Sequence, residues 1–121
     1  MMRILLAAWV VACTMSVASP ARAHAFLDHA NPAVGSTVHG SPPRVALWFT
    51  QELEPAFSTV RVLDQGNHRI DKGDEKVDPR DATLLQVSLP QLAPGRYRVE
   101  WRVLSVDTHV TEGDFTFVVA P

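Results

Sequence analysis

The chain has 121 residues, with 11 Lys and Arg against 13 Asp and Glu and a formal net charge of −2. That length allows one domain, and the lack of a basic excess argues against a nucleic-acid surface. Its one cysteine, Cys13, and its three methionines, Met1, Met2 and Met15, all precede residue 16. The rest of the chain therefore has no thiol or thioether with which to build a disulfide or a soft metal site.

In chain order, the first feature is an export signal. Met1-Met2-Arg3 is a short basic start, residues 4–18 are uncharged and mostly apolar, and Pro20 precedes Ala21-Arg22-Ala23. Small residues at −3 and −1 after an apolar stretch mark a secretory cleavage site. A spanning helix would need roughly 20 apolar residues, more than this stretch supplies. Cleavage after Ala23 makes residues 1–23 a signal peptide and His24 the first mature residue, and the loss of Arg3 and Arg22 takes the net charge from −2 to −4. Two other processing sites bear on this. Ala23-His24-Ala25 would start the chain at Phe26, and Val10-Val11-Ala12-Cys13 loosely resembles a lipoprotein box. The expectation is a start at His24.

From there the pattern is period-2 alternation. Val45, Leu47 and Phe49 share one side of a strand, Val60 and Val62 flank Arg61, and Leu85, Val87 and Leu89 alternate with Gln86 and Ser88. Tyr97, Val99, Trp101 and Val103 alternate with Arg96, Arg98, Glu100 and Arg102, followed by Phe115, Phe117 and Val119. Such strands have one buried and one wet face. Turn residues separate them at Asn31-Pro32, Ser41-Pro42-Pro43, Gln65-Gly66-Asn67, Lys72-Gly73-Asp74 and Ala93-Pro94-Gly95. The reading is all-β, a small antiparallel sandwich or barrel of about seven strands. Residues 52–57 suit one helical turn, and residues 71–81 a solvated loop or edge hairpin. Trp48 and Trp101 read as core or sheet-face aromatics.

Three residues stand out chemically: His24, Asp107 and His109. Residues two apart in an extended segment point the same way, so Asp107 and His109 of Ser105-Val106-Asp107-Thr108-His109 converge on one ion. An N-terminal histidine adds its α-amine and ring nitrogen in a single chelate ring. Three nitrogens and one carboxylate oxygen suit tetragonal Cu(II), with Zn(II) the alternative. His29, His39 and His68 read as ordinary surface histidines. Ser58 and Ser105 lack a placed base and no G-x-S-x-G is present. No phosphate-cradling glycine loop occurs, and Glu52 and Glu54 lie too close in sequence for a separated acid and base.

The chain from 24 to 119 resembles the CopC family of periplasmic copper-binding proteins. The resemblance rests on His24-Ala25-Phe26-Leu27, Asn31-Pro32-Ala33 and the run from Leu47-Trp48-Phe49-Thr50-Gln51 to Phe57-Ser58. It continues through Leu92-Ala93-Pro94-Gly95 with Trp101-Arg102-Val103, then Ser105 to His109, Gly113 and Phe115-Thr116-Phe117. It implies a Greek-key β-sandwich or barrel, Ig-like or cupredoxin-like. It also implies one Cu(II) per chain held by His24, Asp107 and His109, in a periplasmic carrier or buffer. The implied partners are the copper ion and an inner-membrane copper transport protein (CopD-like), the protein being a monomer and not an enzyme. Two departures stand out. A methionine-rich Cu(I) site is absent from the mature chain, and Gln51 occupies a position where many members have a glutamate. A histidine-brace copper oxidase and a metal-free interaction domain are the rival functions.

Overall fold

The computed structural model describes residues 25–121. It contains eight strands: β1 (Leu27–Asn31), β2 (Thr37–His39), β3 (Arg44–Phe49), β4 (Thr59–Leu63), β5 (Lys76–Asp78), β6 (Asp81–Ser88), β7 (Gly95–Leu104) and β8 (Val110–Ala120). Among the described residues a single 3-10 turn, Pro55–Phe57, lies between β3 and β4, inside the stretch predicted to hold one turn. The strands form two four-stranded sheets, β1-β3-β6-β5 and β2-β8-β7-β4. Only the β5–β6 and β7–β8 connections stay within a sheet; the others cross between sheets and close the sandwich. The count exceeds the expected seven because β2 and β5 are three residues each, too short to show alternation. One pair, β2 with β8, is parallel.

The alternating positions form the core. Val45, Leu47, Val62, Leu85, Val87, Val99, Val103 and Phe117 are essentially inaccessible to solvent. Burying each such side chain contributes about 1.5–3 kcal/mol. Tyr97 stacks on Phe117 with ring centroids 5.6 Å apart, and its hydroxyl donates to the Ala93 carbonyl (2.6 Å), which satisfies its one polar atom. The two described tryptophans divide between the faces. Trp101 points inward and meets Phe49 edge-on at 5.1 Å. Trp48 points outward, where the His29 ring stacks on it at 4.5 Å. Gly113 lies opposite Trp101, and a Cβ there would fall 2.6 Å from the indole Cζ2. Glycine is what lets the indole lie flat over β8.

The charged stretch at 71–81 is an edge hairpin in part, since β5 pairs with β6. Asp71 at its start is not solvated. Its side chain is fully inaccessible and accepts hydrogen bonds from the Val62 N–H (2.8 Å), the Gly73 N–H (2.8 Å) and Arg69 Nε (3.0 Å). Burial pushes its carboxyl up, and Arg69 together with these backbone donors outweighs it, holding the group below the usual carboxylate range. This clasp, with the Ile70 N–H donating to the Val62 carbonyl (2.9 Å), fastens the β4–β5 connection along the edge of β4.

Candidate metal centre

The β7–β8 hairpin carries Asp107 and His109. Its last ladder pair is Leu104 with Val110, and residues 105–109 make the turn. They are not extended, contrary to the sequence expectation. The Thr108 N–H closes back on the Ser105 carbonyl (2.9 Å), and Thr108 itself sits at φ 72°. A β-branched residue in the left-handed region costs about 1–3 kcal/mol and persists only where its surroundings over-determine it. Asp107 and His109 nevertheless converge, with Asp107 Oδ1 3.5 Å from His109 Nδ1. The turn brings them together, not strand alternation.

Ser105 is the pivot of this turn. It is fully buried and bridges to Leu53. Its N–H donates to the His109 carbonyl (3.0 Å), its Oγ accepts from the His109 N–H (3.3 Å), and its hydroxyl donates to Asp107 Oδ1. The Val106 N–H donates to the Glu52 carbonyl (3.0 Å), the Glu54 N–H to Leu104, and the Leu53 N–H to Ala82 of β6. The loop is thereby strapped to both sheets. The Ser105 hydrogen bond holds the Asp107 carboxyl below its ordinary range; desolvation opposes this and His109 adds to it.

The described chain begins at the same end of the sandwich. Ala25 is fully buried, and its carbonyl accepts from Thr111 Oγ1 (2.6 Å), two residues beyond His109. The Phe26 N–H donates to Thr50 Oγ1 (3.0 Å), and the Thr50 N–H donates to the Phe26 carbonyl (2.9 Å). His24, the first expected ligand, lies outside the described residues, as does the expected signal at 1–23. Gln51 follows Thr50 and is half-buried.

Among the described residues no three His, Cys, Asp or Glu side chains come together as a metal site. Asp107 and His109 are thus a two-residue set, one carboxylate and one imidazole, that needs further donors to hold an ion. The remaining histidines are apart from it. His29 pairs with Asp28 (2.7 Å) on the outer face of β1, His68 lies 3.4 Å from Asp64, and His39 is exposed on β2. A cleft of about 640 Å³ lies against β4, β7 and β8 and includes the ion-paired Arg61, Glu100, Arg69 and Glu75, but neither Asp107 nor His109. Sequence reasoning missed the roles of Ser105 and Asp71. The spacing Ser105-x-Asp107 was a signal for the first, because a serine two residues before an aspartate in a tight hairpin can reach it.

Comparison with known proteins bears on this end of the molecule. Residues 27–120 match the model of the CopC domain. "Protein YobA" of Escherichia coli K12 is 37% identical over 108 residues, covering 88% of this chain and 87% of that protein. The crystal structure of CopC from Methylosinus trichosporium OB3b superposes with a TM-score of 0.76 at 38% identity, over 81% of this chain and 95% of that one. That of PcoC, a methionine-rich copper resistance protein from Escherichia coli, superposes at 0.66 and 30% identity, over 79% of this chain and 98% of that one.

Proposed function

The chain belongs to the CopC family of copper-binding, copper resistance proteins, and from that membership we propose that it is a periplasmic Cu(II) carrier or buffer. In this reading residues 1–23 are removed on export. His24 then supplies its amine and ring nitrogen, His109 an imidazole and Asp107 a carboxylate oxygen to one Cu(II) per chain. The observation that carries the reading is the meeting of two parts of the chain at one end of the sandwich. Asp107 and His109 approach to 3.5 Å, and Ala25, the residue that follows His24, is hydrogen-bonded to Thr111.

The donor set supports the oxidation state. Nitrogen and carboxylate oxygen favour Cu(II), and Cu(I) prefers the thiolates and thioethers that residues 24–121 lack. In this respect the chain parts from the methionine-rich PcoC. Gln51, in place of a glutamate, adds no charge beside the ion. The family membership supports neither an oxidase nor a metal-free domain.

The protein acts as a monomer and exchanges copper with an inner-membrane copper transport protein (CopD-like). Four large apolar side chains, Phe26, Phe57, Val106 and Val110, are exposed on segments that border the candidate ligands, which is the surface such a partner would meet. The test is the native intact mass of protein recovered from the periplasm and incubated with one equivalent of Cu(II). A chain starting at His24 and retaining one copper is the expected result. A chain starting at Phe26, or lipidated on Cys13, would remove the terminal chelate and overturn the assignment.

A further inference from the structure

Resting on that ligand set, we propose that Ser105 is a positioning residue for copper binding, holding Asp107 by one oxygen so that the other faces the ion. The argument is one of hydrogen-bond supply. A serine hydroxyl has a single proton and two acceptor sites. Two acceptors lie near it, Asp107 Oδ1 and the His109 carbonyl at 3.2 Å. The carbonyl already receives the Ser105 N–H at 3.0 Å, and a carboxylate is the stronger acceptor. The proton therefore belongs to Asp107. The acceptor side of the same oxygen takes the His109 N–H. One buried atom thus joins the backbone of one ligand residue to the side chain of the other.

This matters because burial does not hold Asp107 in place. Its side chain is 39% exposed and would sample several rotamers, and each binding event would have to freeze it. Ser105, at 0% exposure and bridged to Leu53, has already been ordered by folding. With Oδ1 occupied by the hydroxyl, Asp107 offers Oδ2 as a single-oxygen donor. Groups that orient a ligand in this way are worth about 10–100-fold in metal affinity.

The experiment compares wild type, Ser105→Ala, Ser105→Thr, Asp107→Ala and the Ser105→Ala/Asp107→Ala double variant. Cu(II) affinity is read by chelator competition, the copper environment by electron paramagnetic resonance, and the apo fold by thermal melting. The proposal expects Ser105→Ala to fold, to lose about 10–100-fold in affinity and to change the copper spectrum. Ser105→Thr, which keeps the hydroxyl, restores both. In the Asp107→Ala background, removing the hydroxyl costs less affinity than in wild type, because only its contact with the His109 N–H is left to lose, the non-additivity of residues acting as a unit. An unchanged affinity in Ser105→Ala, an equal loss in both backgrounds, or an apo Ser105→Ala that does not fold would overturn it. If wild type itself retains no Cu(II) in the competition assay, it is the functional reading that fails; a wild type that retains it beside an unaltered Ser105→Ala fails the Ser105 role alone.

Discussion

Asp71 and Asp107 are two aspartates with lowered pKa values and opposite employment. Asp71 has an inaccessible side chain and spends both oxygens on Arg69, Val62 and Gly73, fastening a loop to β4. Asp107 is more open: its Oδ1 takes the Ser105 hydroxyl and lies 3.5 Å from His109 Nδ1, and its side chain stays 39% exposed. A carboxylate satisfied on every side is part of the scaffold, whereas one held by a single oxygen on an ordered pivot remains available to a metal ion. A lowered pKa by itself does not separate the two; geometry and exposure do.

The comparison sharpens most by removing a proposed ligand from one side of it. His24→Ala or His109→Ala should abolish tight Cu(II) binding, a loss beyond the about 10–100-fold that an orienting partner costs. Chelator competition would show it, and the apo melting curve should stay close to wild type. Asp107→Ala should weaken binding less severely, again with little change in the apo transition. Asp71→Ala should do the reverse. It leaves the Val62 and Gly73 N–H groups without their acceptor, costs about 1–3 kcal/mol in urea unfolding and leaves the copper affinity of the folded protein intact. Equal effects of Asp71→Ala and Asp107→Ala on both readouts would break the distinction.

Two further effects probe the frame around the proposed metal end. Gly113→Ala drives a methyl into the Trp101 ring and should cost about 1–3 kcal/mol by overpacking, seen as a lower urea midpoint. Thr108→Gly relieves the left-handed threonine and should raise apo stability by about 1 kcal/mol.

Acid should separate the two roles in time. Asp64, Asp71, Asp74, Asp81 and Asp107 all have pKa values lowered from 3.8. A depressed folded-state pKa contributes stability that is fully present above the unfolded value and lost as pH falls through the folded one. Unfolding by acid therefore belongs below about pH 3.8. Copper must compete with protons for imidazole and amine as well as carboxylate, so it should leave at a higher pH, with the fold intact. A titration followed by circular dichroism and copper absorbance together would show two separate transitions; one coincident transition would contradict this.

The strands of the core were legible because a half-buried strand must alternate, and Tyr97 to Val103 and Phe115 to Val119 do so over their whole length. The short strands β2 and β5 were not, since three residues cannot show a period and their pairing depends on neighbours far along the chain. Asp71 was hidden for a related reason. Its acceptors are used by Val62, nine residues away across a turn, and a charged sequence looks solvated until that contact is made. Asp107 and His109 were legible as a pair from residue type and spacing, although the reason for their convergence was a turn.

What the amino-acid order determined alone was the local part: the binary pattern that commits the chain to β-structure, the absence of sulfur donors after residue 15, and the Asp107-Thr108-His109 pair proposed as metal ligands. Only tertiary structure decided which of these met. Ser105 acquires its role because Leu53 and Glu52 strap the hairpin in place. Ala25 arrives beside Thr111, 86 residues away in sequence, because the sandwich must close over its core. Long-range contacts of this kind are set by burial of the whole apolar face, which no local pattern encodes.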